Sequence, residues 1–234
     1  MPQLIAMIII VVGAMIYMFQ TFGGTGDKIT GVAQKTSVIT EINNIKSGLQ
    51  FAARDGVILS AIDATATQGV DYALNLQDLA KMAYFADQIN GQLADPNNKQ
   101  PNVYNAISFG GGVITEANLI DSKGAMELSL VKVKDKTPGI FVDLSKGSLK
   151  DNAGFLENQL ANDLKAIAFI DRGATSDTAG AVALTADDKK AIGEAFANKI
   201  PGKTATDADK NKDGKFIIYF GDFSSAESVK EKLN

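Results

Sequence analysis

Neither cysteine nor histidine occurs in the 234 residues. Without thiols there is no disulfide, no thiolate nucleophile, no Cys-ligated zinc or iron–sulfur centre, and no C-x-x-C-H haem attachment. Without imidazole, most catalytic triads, most transition-metal sites and the commonest general base are excluded too. A net charge of −4, with Lys and Asp scattered rather than blocked, argues against a nucleic-acid partner. Aromatic residues make up only 7% of the chain, too few for an electron-conducting ladder. Tyr17, Phe19, Phe22 and Phe51 read instead as packing and interfacial anchors. Gly110-Gly111-Gly112 is followed by no Gly-Lys-Ser/Thr and reads as a turn, not a phosphate loop. Asp187-Asp188 sits where a helix begins, favouring its positive end, and forms no glycosidase pair. These absences point away from an enzyme, and no catalytic residue is assigned.

Charge is also absent from the start of the chain, where the first charged side chain is Asp27. From Leu4 to Phe19 only Gly13 interrupts a run of Leu, Ile, Val, Ala, Met, Tyr and Phe. A helix of roughly 20 such residues spans about 30 Å, the thickness of a bilayer's hydrocarbon core. It is apolar all round and must lie in lipid or among other apolar helices. A cleaved signal peptide fits poorly, because no Lys or Arg precedes the run and no A-x-A follows it. Copies of such a stem can enclose one another, and head-to-tail packing without closing symmetry makes a fibre. Burying ~1,500 Å² of stem contributes tens of kcal/mol gross at about 25 cal/mol per Å². The expected subunit interface comprises Leu4, Ile5, Ile8, Ile9, Val12, Gly13, Ile16, Tyr17, Phe19 and Phe22. Ala6, Gly13 and Ala14 allow close approach. Gly23, Gly24 and Gly26 form the expected weak point, each costing about 1 kcal/mol of helix relative to Ala.

Past this joint the helical period returns with a polar face. Ile29, Val32, Val38, Ile42, Ile45, Leu49 and Ala52 form a stripe, separated by Lys35, Thr36, Glu41, Asn43, Asn44, Lys46 and Gln50. One long helix is expected over 1–54, with an apolar stem (1–26) and an amphipathic half (27–54), ending at Arg54-Asp55-Gly56. Residues 55–234 form an α+β head, large enough for one core. Its expected elements are a short strand or turn at 57–62, a helix over Asn75–Ala94 and segments 104–109 and 113–115 around the triglycine. Strands are expected at 126–134 and 140–144, and a helix over Gly154–Ile170. A capped helix over Ala186–Lys199, a buried strand over Phe216–Phe220 and a terminal helix over Ser224–Leu233 complete the head. The strands form an antiparallel sheet, flanked by helices and packed on the long N-terminal helix.

Asp209-Lys210-Asn211-Lys212-Asp213-Gly214 matches the opening of a calcium loop, D-x-[DN]-x-[DN]-G. Alternate oxygen donors wrap a hard cation, and the glycine permits the sharp turn. The candidate ligands are Asp207, Asp209, Asn211, Asp213 and Asp222. The position of the usual bidentate Glu holds Phe220, and three lysines dilute the charge. The expected cofactor is a structural Ca²⁺ stapling a head that lacks a disulfide; the plain alternative is a polar turn before a strand.

The block MPQLIAMIIIVVGAMIYMFQ, its continuation KITGVAQKTSVITEINNIKSGLQFAARDGV and the α+β head together resemble a bacterial type IV pilin, nearest the larger class b pilins. The resemblance is specific over the first 57 residues and architectural beyond them. It implies a leader removed by a prepilin peptidase, with Met1 at the cleavage point, and residence in the inner membrane before assembly. Assembly machinery then builds an extracellular homopolymeric filament serving adhesion, motility, DNA uptake or secretion. Two features depart from the family. Its usual fifth residue is Glu, which neutralises a neighbour's N-terminus; here it is Ile5. Its head usually carries a disulfide, which is impossible here. The alternative is an inner-membrane-anchored periplasmic module such as a secretion-system pseudopilin.

Overall fold

The computed structural model describes residues 31–119, 124–180, 184–202 and 212–233. Residues 31–54 are helical (α1). Val38, Ile42, Ile45, Leu49, Ala52 and Ala53 lie at helical spacing and are buried. The helix stops at Gly56, whose φ is +74°. The Gly56 N–H donates to Ala53 O and the Val57 N–H to Ala52 O, at 3.1 and 3.2 Å, a Schellman ending. Two expectations for this helix are corrected. Val32 is 57% exposed, because the ring of Phe155 fills the space at Gly31 instead. Glu41 is buried, because its carboxylate reaches two donors on the head.

Five antiparallel strands form one sheet in the order β1-β2-β3-β5-β4. They are β1 (Val103–Asn105), β2 (Glu127–Val131), β3 (Gly139–Asp143), β4 (Ala168–Asp171) and β5 (Lys215–Phe220). The last strand in sequence lies inside the sheet between β3 and β4, and its run KFIIYF supplies both faces. Phe216, Ile218 and Phe220 join Leu128, Leu130, Ile140 and Val142 in the core beneath α1 and α4 (Ala153–Leu164). Ile217 and Tyr219 face the other way, with Val131, Phe141, Ala174 and Ile200. Helices α5 (Ala186–Ile192) and α6 (Glu194–Ala197) flank that second face. The head is therefore α+β, with helical layers on both sides of the sheet.

The helix expected over 75–94 is two helices, α2 (Leu76–Lys81) and α3 (Asp87–Leu93). Between them Ala83 takes φ +60°. This turn lets Phe85 lie against Gly48 of α1, and Asn90 then bonds both the N–H and the C=O of Phe85. The helix expected over 154–170 ends at Leu164, because Ala168–Asp171 pair with β5. The helix expected over 186–199 breaks at Gly193, φ +82°. Its start is as expected: Thr185 and Asp188 form a capping box. Only 103–105 of the segment before the triglycine is strand; Ile107–Phe109 is a 3₁₀ turn, and 113–115 is not strand. The 224–233 segment is not helical. It opens on a turn, with Glu227 N–H on Ser224 O (3.1 Å), and then passes between two partners, with Lys230 N–H on Ile58 O (2.9 Å) and Val229 N–H on Lys136 O (2.9 Å).

Candidate subunit-contact helix and cation loop

The sequence places function in two regions, the N-terminal helix and the Asp-rich turn. The interface residues Leu4, Ile5, Ile8, Ile9, Val12, Gly13, Ile16, Tyr17, Phe19 and Phe22 lie outside the described residues, as do Gly23, Gly24 and Gly26. Among the described residues, no helix is long and apolar enough to cross a membrane.

Helix α1 is fastened to the head along its length. At the end near Gly31, Gln34 accepts from Asn152 Nδ2 at 3.0 Å, and Lys35 pairs with Asp163 at 2.7 Å. Midway, the buried Glu41 carboxylate accepts from Tyr104 Oη (3.0 Å) and from the Ser108 N–H (2.9 Å). Burial, then the nearby Glu41 charge, push the Tyr104 phenol well above its ordinary range. Further on, Lys46 pairs with Asp222 and stands 4.5 Å from the centre of the Phe220 ring. The outer face remains open, with Phe51 51% exposed and Arg54 over its ring at 4.9 Å. Geometrically this is a helix locked to its own head on one side and presenting its other side to solvent.

Of the candidate cation ligands, Asp207, Asp209 and Asn211 lie outside the described residues. Asp213 opens β5, and its carboxylate accepts from the Lys215 N–H at 2.9 Å. Asp222 is a correction. It lies beyond the far end of β5, and at about 3.3 Å per residue the strand holds it some 17 Å or more from Asp213. It is paired with Lys46 and cannot share an ion with Asp213. Among the described residues, no three acidic groups cluster as a metal site. A cation at this turn would rest on Asp213 together with Asp207, Asp209 and Asn211.

The turn itself is held by a group that the sequence reading missed. Glu157 of α4 is fully buried. One carboxylate oxygen accepts from Arg172 Nε (2.7 Å) and the other from the Gly214 N–H (2.9 Å). Burial raises its pKa, against the lowering effect of both hydrogen bonds and the Arg172 charge. Gly214 has φ +78°, and a Cβ there would lie 2.6 Å from Ala153 Cβ. The glycine that a calcium loop requires is thus also required by the packing of β5 on α4. Spacing was the available signal for both hidden carboxylates. Glu41 stands three and four residues from Val38 and Ile45, and Glu157 four and three from Ala153 and Leu160. Comparison of the chain with protein-family models, curated proteins and solved structures returned no match.

Proposed function

We propose that the chain is a structural subunit of an extracellular type IV pilus-like filament, built by helical bundling of its apolar N-terminal stem and displaying the α+β head. The observation that carries this reading is a continuity in the chain. A run of 26 residues without a charged side chain leads within five residues into α1, whose inner face is sealed against the sheet and whose outer face is open. The apolar run needs an apolar surround over its whole circumference. Lipid supplies that before assembly, and sister stems supply it afterwards. The chain waits in the inner membrane, is processed by a prepilin peptidase and is raised by assembly machinery. The role is structural rather than catalytic.

The alternative is an inner-membrane-anchored periplasmic module such as a secretion-system pseudopilin, in which the same apolar stem stays in lipid. Electron microscopy of material sheared from the cell surface separates the two. Long filaments of this chain support the first reading, whereas a monomer soluble only in detergent removes it.

A structural Ca²⁺ at Asp207, Asp209, Asn211 and Asp213 belongs to the same proposal, as a staple for an extracellular head without disulfides. Calcium then raises the melting temperature of the full chain, and Asp209→Ala or Asp213→Ala abolishes the rise. A melting temperature indifferent to calcium ends the proposal.

A further inference from the structure

Three features meet at the end of the head where α1 begins. The first is nearness to the apolar stem. Gly31 follows the uncharged run of 26 residues by five positions, and five residues reach at most about 18 Å. The second is apolar surface. Val32 is 57% exposed and Phe155 43% exposed, and the Phe155 ring lies against Gly31, where a Cβ would stand 3.0 Å from Cε1. The third is positive charge. A cleft of about 770 Å³ opens beside Phe155, and its walls include Lys150, Lys212 and Arg172 together with Asp151 and Asn158.

The start of α4 and the turn before β5 build this cleft. A Cβ on Gly154 would lie 2.7 Å from the Lys212 C=O, so the missing side chain lets the two segments touch. Lys150 and Lys212 are exposed, and among the described residues neither side chain makes a hydrogen bond or an ion pair. Arg172 serves the buried Glu157, yet 25% of its side chain is exposed. Asp151 is the one carboxylate on the described walls. Asp213, next to Lys212, turns to the Lys215 N–H instead (2.9 Å). Lys35 and Lys146 are matched by Asp163 and Glu127 and add no net charge. Three cations thus face one anion across the cleft, and with Glu157 counted the balance is still positive.

We infer that this end of the head rests on the bilayer surface, and that the cleft holds the phosphate of a phospholipid headgroup. The inference rests on the stem lying in lipid, which both readings above share. With the stem so placed, the chain's own reach keeps the cleft close to the headgroups, and the tether gives lipid phosphate a high local concentration that a free anion lacks. A surface that combines exposed lysines with an exposed Phe suits this boundary, where cations meet phosphate and the ring enters the edge of the acyl region. Asp151 and Asn158 offer acceptors to the hydroxyls of a glycerol headgroup.

The test places one full-length chain in each lipid nanodisc, which keeps a second copy away. The chain has no Cys, so Ser148→Cys takes a single fluorophore near Lys150, and Arg54→Cys takes one at the far end of α1, about 35 Å along the helix. The discs contain phosphatidylcholine with or without phosphatidylglycerol, and a lipid with a nitroxide on its headgroup as quencher. With phosphatidylglycerol, quenching at position 148 is expected to exceed that at position 54 several-fold. Lys150→Gln and Lys212→Gln each lower the ratio of docked to undocked heads about fivefold and leave the melting temperature unchanged. Equal quenching at the two positions overturns the inference, as does indifference to both lysines. Quenching that is removed by inorganic phosphate, but not by chloride at the same ionic strength, also overturns it, since the occupant is then a free ion. A chain that never enters the disc removes the membrane stem and this inference together. A chain that enters and does not dock removes this inference alone.

Discussion

Replacing Glu157 by glutamine tests whether burial or the Arg172 pairing governs this carboxylate. The group is fully buried, and its folded pKa lies above the ordinary 4.5 because burial outweighs its two hydrogen bonds and the Arg172 charge. The folded state therefore holds the proton to higher pH than the unfolded chain does. Stability from this group is complete below pH about 4.5 and is lost as pH rises through the folded value. Glutamine mimics the protonated acid and can still accept from the Gly214 N–H, so Glu157→Gln should gain on wild type as pH rises from about 4 to 7. Alanine gives the scale. It strips Arg172 of its buried counter-ion and leaves the Gly214 N–H without a partner, costing about 3 kcal/mol. That is the low end for breaking a buried pair, since the Arg172 side chain keeps 25% of its exposure. For a head of this size the loss lowers the melting temperature by roughly 6–12 °C. Thermal melts of wild type, Glu157→Gln and Glu157→Ala across the pH range provide the comparison. A glutamine penalty that grows with pH would refute the reasoning, because the ion pair would then dominate.

Three further perturbations follow from the packing. Gly48→Ala puts a methyl 2.7 Å from Tyr84 O and closer still to the Phe85 ring, and should cost about 2 kcal/mol or more in denaturant unfolding; an unchanged midpoint would mean that Phe85 does not seat there. Gln92→Leu strips both backbone partners from the buried Asn105, costs about 2 kcal/mol and opens the β1 edge. Its melts should drop and its light scattering rise, and a variant that stays monomeric argues against the edge-closing role. The Tyr84 phenol, 3.0 Å from Asp55, is pushed up to about 12 by burial first and by the carboxylate second. Any stability it confers is complete below pH about 10 and lost as pH rises through the folded value. Ultraviolet titration of Asp55→Asn should lower that midpoint yet leave it above 10, because burial persists. A midpoint returning to 10 would make Asp55 the main cause.

Patterns carried by neighbouring residues could be read directly. The stripe Val38, Ile42, Ile45, Leu49, Ala52 and the stop at Gly56 depend on helical spacing and on one residue that accepts positive φ. The Thr185–Asp188 box is likewise local, and β5 declares itself by an unbroken apolar run. The errors came where distant groups competed with local preference. Ile167–Ile170 fits the apolar spacing of a helix, yet β5 offers a ladder to Ala168–Asp171 and the helix ends earlier. Met82–Phe85 breaks a good helical pattern because Gly48, far away in sequence, leaves a place for Phe85. Ser224–Leu233 has helical spacing, but Ile58 and Lys136 take its backbone bonds.

By itself the sequence determined the uncharged apolar start, the amphipathic continuation, the α+β class and the chemistry excluded by the absence of Cys and His. These are matters of side-chain type and short-range period, and no folding partner alters them. Tertiary structure alone decided that Glu41 and Glu157 are buried clamps, that Asp222 serves Lys46 and lies apart from Asp213, and that the Gln92 side chain takes the outward backbone groups of Asn105. Each of these depends on which groups meet across 13 or more residues of chain, beyond the reach of local spacing, and hydrogen-bonding demand in a low-dielectric interior is met by whatever lies near in space.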